Sequence, residues 1–185
     1  LIKELKNLQE KGFKKPMLTG YIPSYEPSME PDGRLDIPWK MNFDRFIPEG
    51  AVFFLPATID DYQERTEPIP ARFYSAHFAF TDGEFSEKVR HDPEFYFYGE
   101  EISIAVRAFT HGYDLYHPHK VVCWHEYTRS ARFKHWDDHD NTKCDIKGIK
   151  HSWWERDSYS QKRNRVLFGM EQDESVIIKD RYNFG

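Results

Sequence analysis

Residues 97–129, FYGEEISIAVRAFTHGYDLYHPHKVVCWHEYTR, contain both periodicities that a layered α/β fold requires. Ile102, Ala105, Val106 and Phe109 fall at the three-and-four spacing that turns one helix face toward a core. Glycines bracket the segment: Gly99 stands before Glu100 and Glu101, and Gly112 is placed to end the helix. Beyond it the period changes to two. Leu115 to Pro118 and Lys120 to His125 read as short strands, the second with Val121, Cys123 and His125 on one face.

The rest of the chain extends this alternation. Leu1 to Gly12 reads as an amphipathic helix with Leu1, Leu5, Leu8 and Gln9 near one face. The following PMLTGYIPSYEPSMEPDGR is crowded with proline and small turn formers and reads as an irregular surface loop. Residues 51–56 (AVFFLP) predict a short buried strand stopped by proline, and the acidic stretch from Asp60 to Glu67 a solvated face. Arg72 to Phe80 is strand-like and leads into a helix start, with Thr81 and Glu84 as a capping box and Phe80 and Phe85 as its hydrophobic staple. A last helix is predicted from about Trp153 to Phe168. There is no internal repeat and no low-complexity tract. The expected architecture is α/β, a mixed sheet flanked by helices, in which the strands at 51–56, 72–80 and 120–125 take part.

Composition narrows the functional classes. The net charge is −5, and the densest basic cluster, Lys162, Arg163 and Arg165, is balanced by Glu171, Asp173 and Glu174. Phosphate-backbone binding needs far more basic density, so nucleic acid is excluded as a partner. Two cysteines, Cys123 and Cys144, are not a disulfide framework and suit a reducing compartment. No apolar run approaches the length of a membrane span. The 31 aromatic residues either build a core or line a site that stacks flat apolar faces, as sugars and bases both offer.

The chemistry concentrates at three points. Glu100 and Glu101 follow a glycine at a helix start, where the macrodipole favours negative charge; both are expected to stay ionised and able to accept a hydroxyl proton. Ordinary charge bias at helix starts also places acids there. His125 ends a strand beside Trp124 and is either a structural histidine or, as a neutral imidazole, a metal ligand. His111, His117, His119, His135, His139 and His151 form no zinc pattern, and Asp137 and Asp138 between His135 and His139 suit a solvated turn.

The stretch from Ser75 to Arg129 resembles glycosyltransferase family 60, whose known members attach GlcNAc to hydroxyproline on a cytoplasmic ubiquitin-ligase adaptor in protists. The likeness extends more loosely through KPMLTGYIPSYEP and KHWDDH. It is also distantly similar to polypeptide GalNAc-transferases and β-1,4-galactosyltransferases, in which an arginine follows the helix-opening glutamate by seven residues, as Arg107 follows Glu100. The resemblance implies a GT-A fold, a UDP-sugar donor, a hydroxyl acceptor on protein or glycan, manganese or another divalent cation, and a cytoplasmic location. Carried over, His125 is the metal ligand, and Glu100 and Glu101 are catalytic beside the donor sugar and acceptor hydroxyl. Ser75, Ala76 and His77 form the floor under the sugar, and Gly99 and Trp124 join them in binding substrate.

One element of that family pattern has no counterpart. The metal-binding Asp-x-Asp-like motif should precede this segment; Asp60-Asp61 follows a different strand and Asp137-Asp138 lies too late. The closing RYNFG resembles a family segment that continues. The expectation is a single domain over 1–185 that is the catalytic C-terminal half of a GT-A domain without its N-terminal nucleotide-binding units, inactive alone. Rival readings are a transferase using UDP-galactose or UDP-GalNAc, a non-catalytic carbohydrate-binding module, and a structural scaffold. Only the transferases require Glu100, Glu101 and His125 to meet in one cleft.

Overall fold

The computed structural model describes residues 1–48, 50, 52–97, 99–128, 132–134, 136–137, 139–140 and 148–178. Ala51, Arg129, His135, Asp138, Cys144 and the closing RYNFG lie outside them.

Helix α1 (Ile2–Glu10) ends through Gly12 at φ 99° and delivers the chain into strand β1 (Pro16–Thr19), whose four residues are all buried. β1 is central in a four-stranded sheet. It pairs parallel with β6 (Asp114–His117) and antiparallel with β5 (Ala79–Phe80), while β4 (Ile69–Pro70) closes the far side of β6. Neighbouring side chains on a strand point to opposite faces. Met17 and Leu115 accordingly pack against Ile104, Ala105 and Ala108 of helix α3 (Glu100–Thr110). Leu18 and Tyr116 pack on the other face with Leu8 of α1. The result is a mixed sheet with a helix on each side, the expected fold class.

Two strands stand apart. β2 (Trp39–Phe46) and β3 (Val52–Thr58) form an antiparallel hairpin with a register shift between Phe43 and Arg45. Helices α2 (Glu84–Lys88), α4 (Trp153–Leu167) and α5 (Glu174–Ile178) complete the described elements. α4 opens on a capping box, with the Ser152 N–H donating to the Glu155 carboxylate at 2.8 Å.

The structure corrects several expectations. The proline-rich loop begins with PMLT, which is the central strand; four residues led by proline carry too little periodicity to stand out. Of the run at 51–56, the described residues 52–56 pair within the hairpin rather than in the main sheet, and β3 continues through Pro56 because a two-stranded ribbon leaves edge positions where no N–H is required. Of 72–80 only Ala79 and Phe80 join a ladder, since the Ser75 N–H is taken by the Thr19 hydroxyl at 2.9 Å. Thr81 donates to the Pro16 carbonyl at 2.8 Å instead of capping, and α2 starts behind Gly83. Phe80 and Phe85 pack into clusters on opposite faces of the sheet, so no staple forms. Segment 120–125 makes only an isolated bridge, Ser24 with His125. On α3 the buried face is Ser103, Ile104, Ala105, Arg107 and Ala108, while Phe109 is exposed.

Candidate functional site

α3 ends in a Schellman turn: the Gly112 N–H reaches the Phe109 carbonyl at 3.0 Å and the Tyr113 N–H reaches Ala108 at 2.9 Å. Its start is equally constrained. Gly99 has φ 86°, and a Cβ there would lie 1.8 Å from the Asn164 Nδ2, so position 99 excludes any side chain. The next two residues, Glu100 and Glu101, project into an open cleft of about 470 Å³, a size suited to a small ligand.

The cleft collects groups from several separate parts of the chain. α3 supplies the carboxylates, and the Ala76–His77 turn forms an adjoining side. Tyr21 arrives from beyond β1, His125 and Tyr127 from the segment bridged to Ser24, and Val52, Phe53 and Phe54 from the hairpin. The Glu101 Oε1 accepts the Ala76 N–H at 2.8 Å, tying helix to turn. Among the described residues the Glu100 carboxylate makes no hydrogen bond, so it is available to an incoming hydroxyl.

Burial raises the pKa of both acids. For Glu101 the Ala76 N–H and the Ser75 hydroxyl oppose the rise, while the Glu100 charge adds to it. The helix dipole alone pulls the other way; the desolvation of a half-buried pair outweighs it. Each carboxylate is therefore a stronger proton acceptor than an exposed glutamate.

The imidazoles form a second group. The His77 and His125 rings lie 5.0 Å apart, with Tyr127 4.3 Å from His125 and Tyr21 4.7 Å from His77. Burial, then the charge of His125, lowers the His77 pKa, so its ring favours the neutral form. The His77 Nδ1 sits 3.2 Å from the Ser75 hydroxyl. Tyr127 donates its hydroxyl to the Ile22 carbonyl at 2.7 Å, and its pKa is pushed up to about 12 by burial, so it offers no acid near neutrality.

Among the expected site residues, Glu100, Glu101, His125, Ala76, His77 and Gly99 line this cleft. Ser75 does not reach it: it is fully buried and supports the turn from beneath. Trp124 is also elsewhere, its Nε1 donating to the Leu35 carbonyl at 3.0 Å and its ring covered by the Arg34 guanidinium. His125 and Tyr127 turn into the cleft, whereas Trp124 turns away from it. Arg107 faces the core, 3.6 Å from Asp92. Asp61 lies in an exposed turn and pairs with Arg65.

Sequence reasoning missed Tyr21, Phe53, Phe54, Phe97, Tyr127 and Arg132, all of which line the cleft. Tyr127 was within reach of the two-residue period from His125, and Phe97 of its place two residues before Gly99; Tyr21, Phe53 and Phe54 arrive by long-range folding. Arg132 supplies a guanidinium, a group suited to phosphate oxygens. Among the described residues no three His, Cys, Asp or Glu side chains gather as a metal cage. Among the described residues, the imidazole of His125 could serve an ion only as a single protein ligand. No helix of the described residues is long and apolar enough to cross a membrane.

Comparison with known proteins finds no match among curated proteins or solved structures. Against known families, residues 1–183 match the one described as Glycosyltransferase (GlcNAc). That match spans nearly the whole chain, including every element that builds the cleft, and the chain belongs to this glycosyltransferase family.

Proposed function

We propose that the 470 Å³ cleft is the donor-sugar site of a UDP-dependent transferase that moves GlcNAc onto a hydroxyl acceptor. The observation that carries this is the meeting of a desolvated carboxylate pair with the aromatic wall of Tyr21, Phe53 and Phe54. Rings offer flat apolar surface to a sugar face, and the carboxylates offer acceptors to its hydroxyls. In transfer, the bond from the anomeric carbon to the diphosphate oxygen breaks and UDP departs with the electron pair. The acceptor oxygen bonds to that carbon and gives its proton to Glu100, the carboxylate without a structural hydrogen bond. Glu101 keeps the Ala76–His77 turn in place under the sugar. Arg132 faces the departing diphosphate. A divalent ion such as manganese, bound through His125, would supply further neutralisation of that charge. The resemblance to glycosyltransferase family 60 and its GT-A type adds the cytoplasmic location and the protein hydroxyl as acceptor.

The test is turnover of UDP-GlcNAc, UDP-GalNAc and UDP-galactose by the full-length protein, with and without manganese. Preferential, manganese-dependent turnover of UDP-GlcNAc is expected; equal inertness toward all three refutes the reading. His125→Ala is expected to raise the manganese concentration needed for half-maximal rate by roughly 10–100-fold, by analogy with the loss of a metal-site partner. An unchanged metal requirement removes His125 from that role.

The raised carboxyl pKa values give a pH signature. Catalysis requires the ionised form, so the rate falls as pH drops through the folded-state pKa. Burial places that acid limb above the ordinary glutamate value of about 4.3. A pH–rate profile with its acid limb at the ordinary value contradicts the assignment.

A further inference from the structure

Three side chains of α4, Ser160, Arg163 and Asn164, are completely buried and lie on one face by their spacing of three and four. All three grip the segment that leads into the carboxylate pair. The Ser160 Oγ accepts the Tyr96 N–H at 2.6 Å and donates to the Arg156 carbonyl at 2.9 Å. Arg163 donates from Nε to the Asp92 carboxylate at 2.9 Å. Asn164 presses on Gly99, occupying the space that a side chain at 99 would need.

Asn164 is the anomaly. Neither its Nδ2 nor its Oδ1 has a hydrogen-bond partner among the described residues. A buried polar group left unsatisfied destabilises the fold, whereas an apolar side chain of the same shape carries no such penalty. Leucine at 164 removes that penalty in exchange for a small shift of its neighbours, so the amide is explained by what it touches. That is the backbone of Gly99, one residue before Glu100 and two before Glu101, at the first turn of α3.

We propose that Asn164 is a positioning residue of the transferase, setting the first turn of α3 so that Glu101 meets the Ala76 N–H and Glu100 faces the cleft. This rests on the transferase reading of the cleft. The amide is thin and planar, and its Nδ2 lies against the glycine where the branched methyls of leucine are bulkier. Leucine pushes the helix start away from the Ala76–His77 turn, and alanine lets it sag back; either displaces the carboxylates by a fraction of an ångström. Misplacement of about 1 Å costs on the order of a hundredfold in rate.

The test compares Asn164→Leu and Asn164→Ala with the unaltered full-length protein. Thermal unfolding, kcat and KM for UDP-GlcNAc, the acid limb of the pH–rate profile, and carbon-13 titration of the glutamate carboxyls are measured together. Asn164→Leu is expected to match or exceed the parent in thermal stability while kcat falls about ten- to a hundredfold with KM little changed. The acid limb and the Glu101 titration should move with it. Unchanged kcat and unchanged Glu100 and Glu101 titrations in both variants overturn the proposal, as does a loss of kcat that follows only a loss of stability. If the parent protein turns over no UDP-sugar, the transferase reading fails, and the carboxyl titrations still decide whether Asn164 positions the pair.

Discussion

Replacing Glu100 with glutamine is expected to lower GlcNAc transfer by about 10²–10⁴-fold, the usual contribution of a general base, with donor affinity changed only a few-fold. Glutamine keeps the shape of the side chain and its ability to hold a sugar hydroxyl, but it cannot take a proton. Glu101→Gln removes the second charge, retains an oxygen able to accept the Ala76 N–H, and is expected to lower transfer less. It should also stabilise the protein. The folded-state pKa of Glu101 is raised by burial, so ionisation in the native state carries a penalty above that pKa and none below the unfolded value. The gain in melting temperature is therefore present at neutral pH and disappears in acid below the ordinary glutamate range. Each kcal/mol relieved corresponds to about 2–4 °C for a chain of this size. Kinetics of both variants, with melting curves at neutral and acidic pH, check the pair. Full activity in Glu100→Gln removes the carboxylate from the proton transfer, and a lower melting temperature for Glu101→Gln at neutral pH contradicts the desolvation argument.

The largest effect on folding is expected at Asp92. Its side chain is 2% exposed and serves two buried guanidiniums, bonding to Arg163 at 2.9 Å and lying 3.6 Å from Arg107. Arg163 also reaches the Val176 carbonyl at 3.3 Å, so this carboxylate joins α3, α4 and α5. Removing one member of a buried ion pair typically costs 3–5 kcal/mol, because the partner charge stays in a dry site. Asp92→Asn should accordingly lower the melting temperature by roughly 6–20 °C. Combining Asp92→Leu with Arg163→Met should cost less than the sum of the two single changes, since the double variant removes both charges together. Calorimetry of the four proteins measures this; strict additivity means that the pair is not coupled.

The helix at 100–110 was legible because glycines mark both of its ends, Gly99 and Gly112, and the helix at 153–167 was expected over nearly the same residues; its Ser152–Glu155 box went unread. The pairing of Glu100 and Glu101 with His125 was legible for a related reason: a helix, a glycine turn and a returning strand leave few ways for the chain to run. Facing was harder. Arg107 and Ser103 are buried polar residues, so a reading based on apolar positions rotated α3 toward Phe109, which the fold leaves exposed. The central strand at Pro16–Thr19 was hidden by its brevity and its leading proline. Tyr21, Phe53 and Phe54 could not be assigned to the cleft because only the separate hairpin and the turn beyond β1 bring them there. Trp124 was misplaced because its neighbour His125 faces the cleft while its own ring turns to Leu35 and Arg34.

The central claim is that the carboxylate cleft receives the nucleotide sugar. The most direct measurement is an amide-resolved NMR titration of the full-length protein with UDP-GlcNAc in the presence of manganese-free magnesium. The account predicts saturable shifts gathered at Ala76, His77, Gly99 and Tyr127, around the carboxylates. Shifts gathered instead along the outer face of α3 at Val106 and Phe109, or no saturable shifts at all, would contradict it.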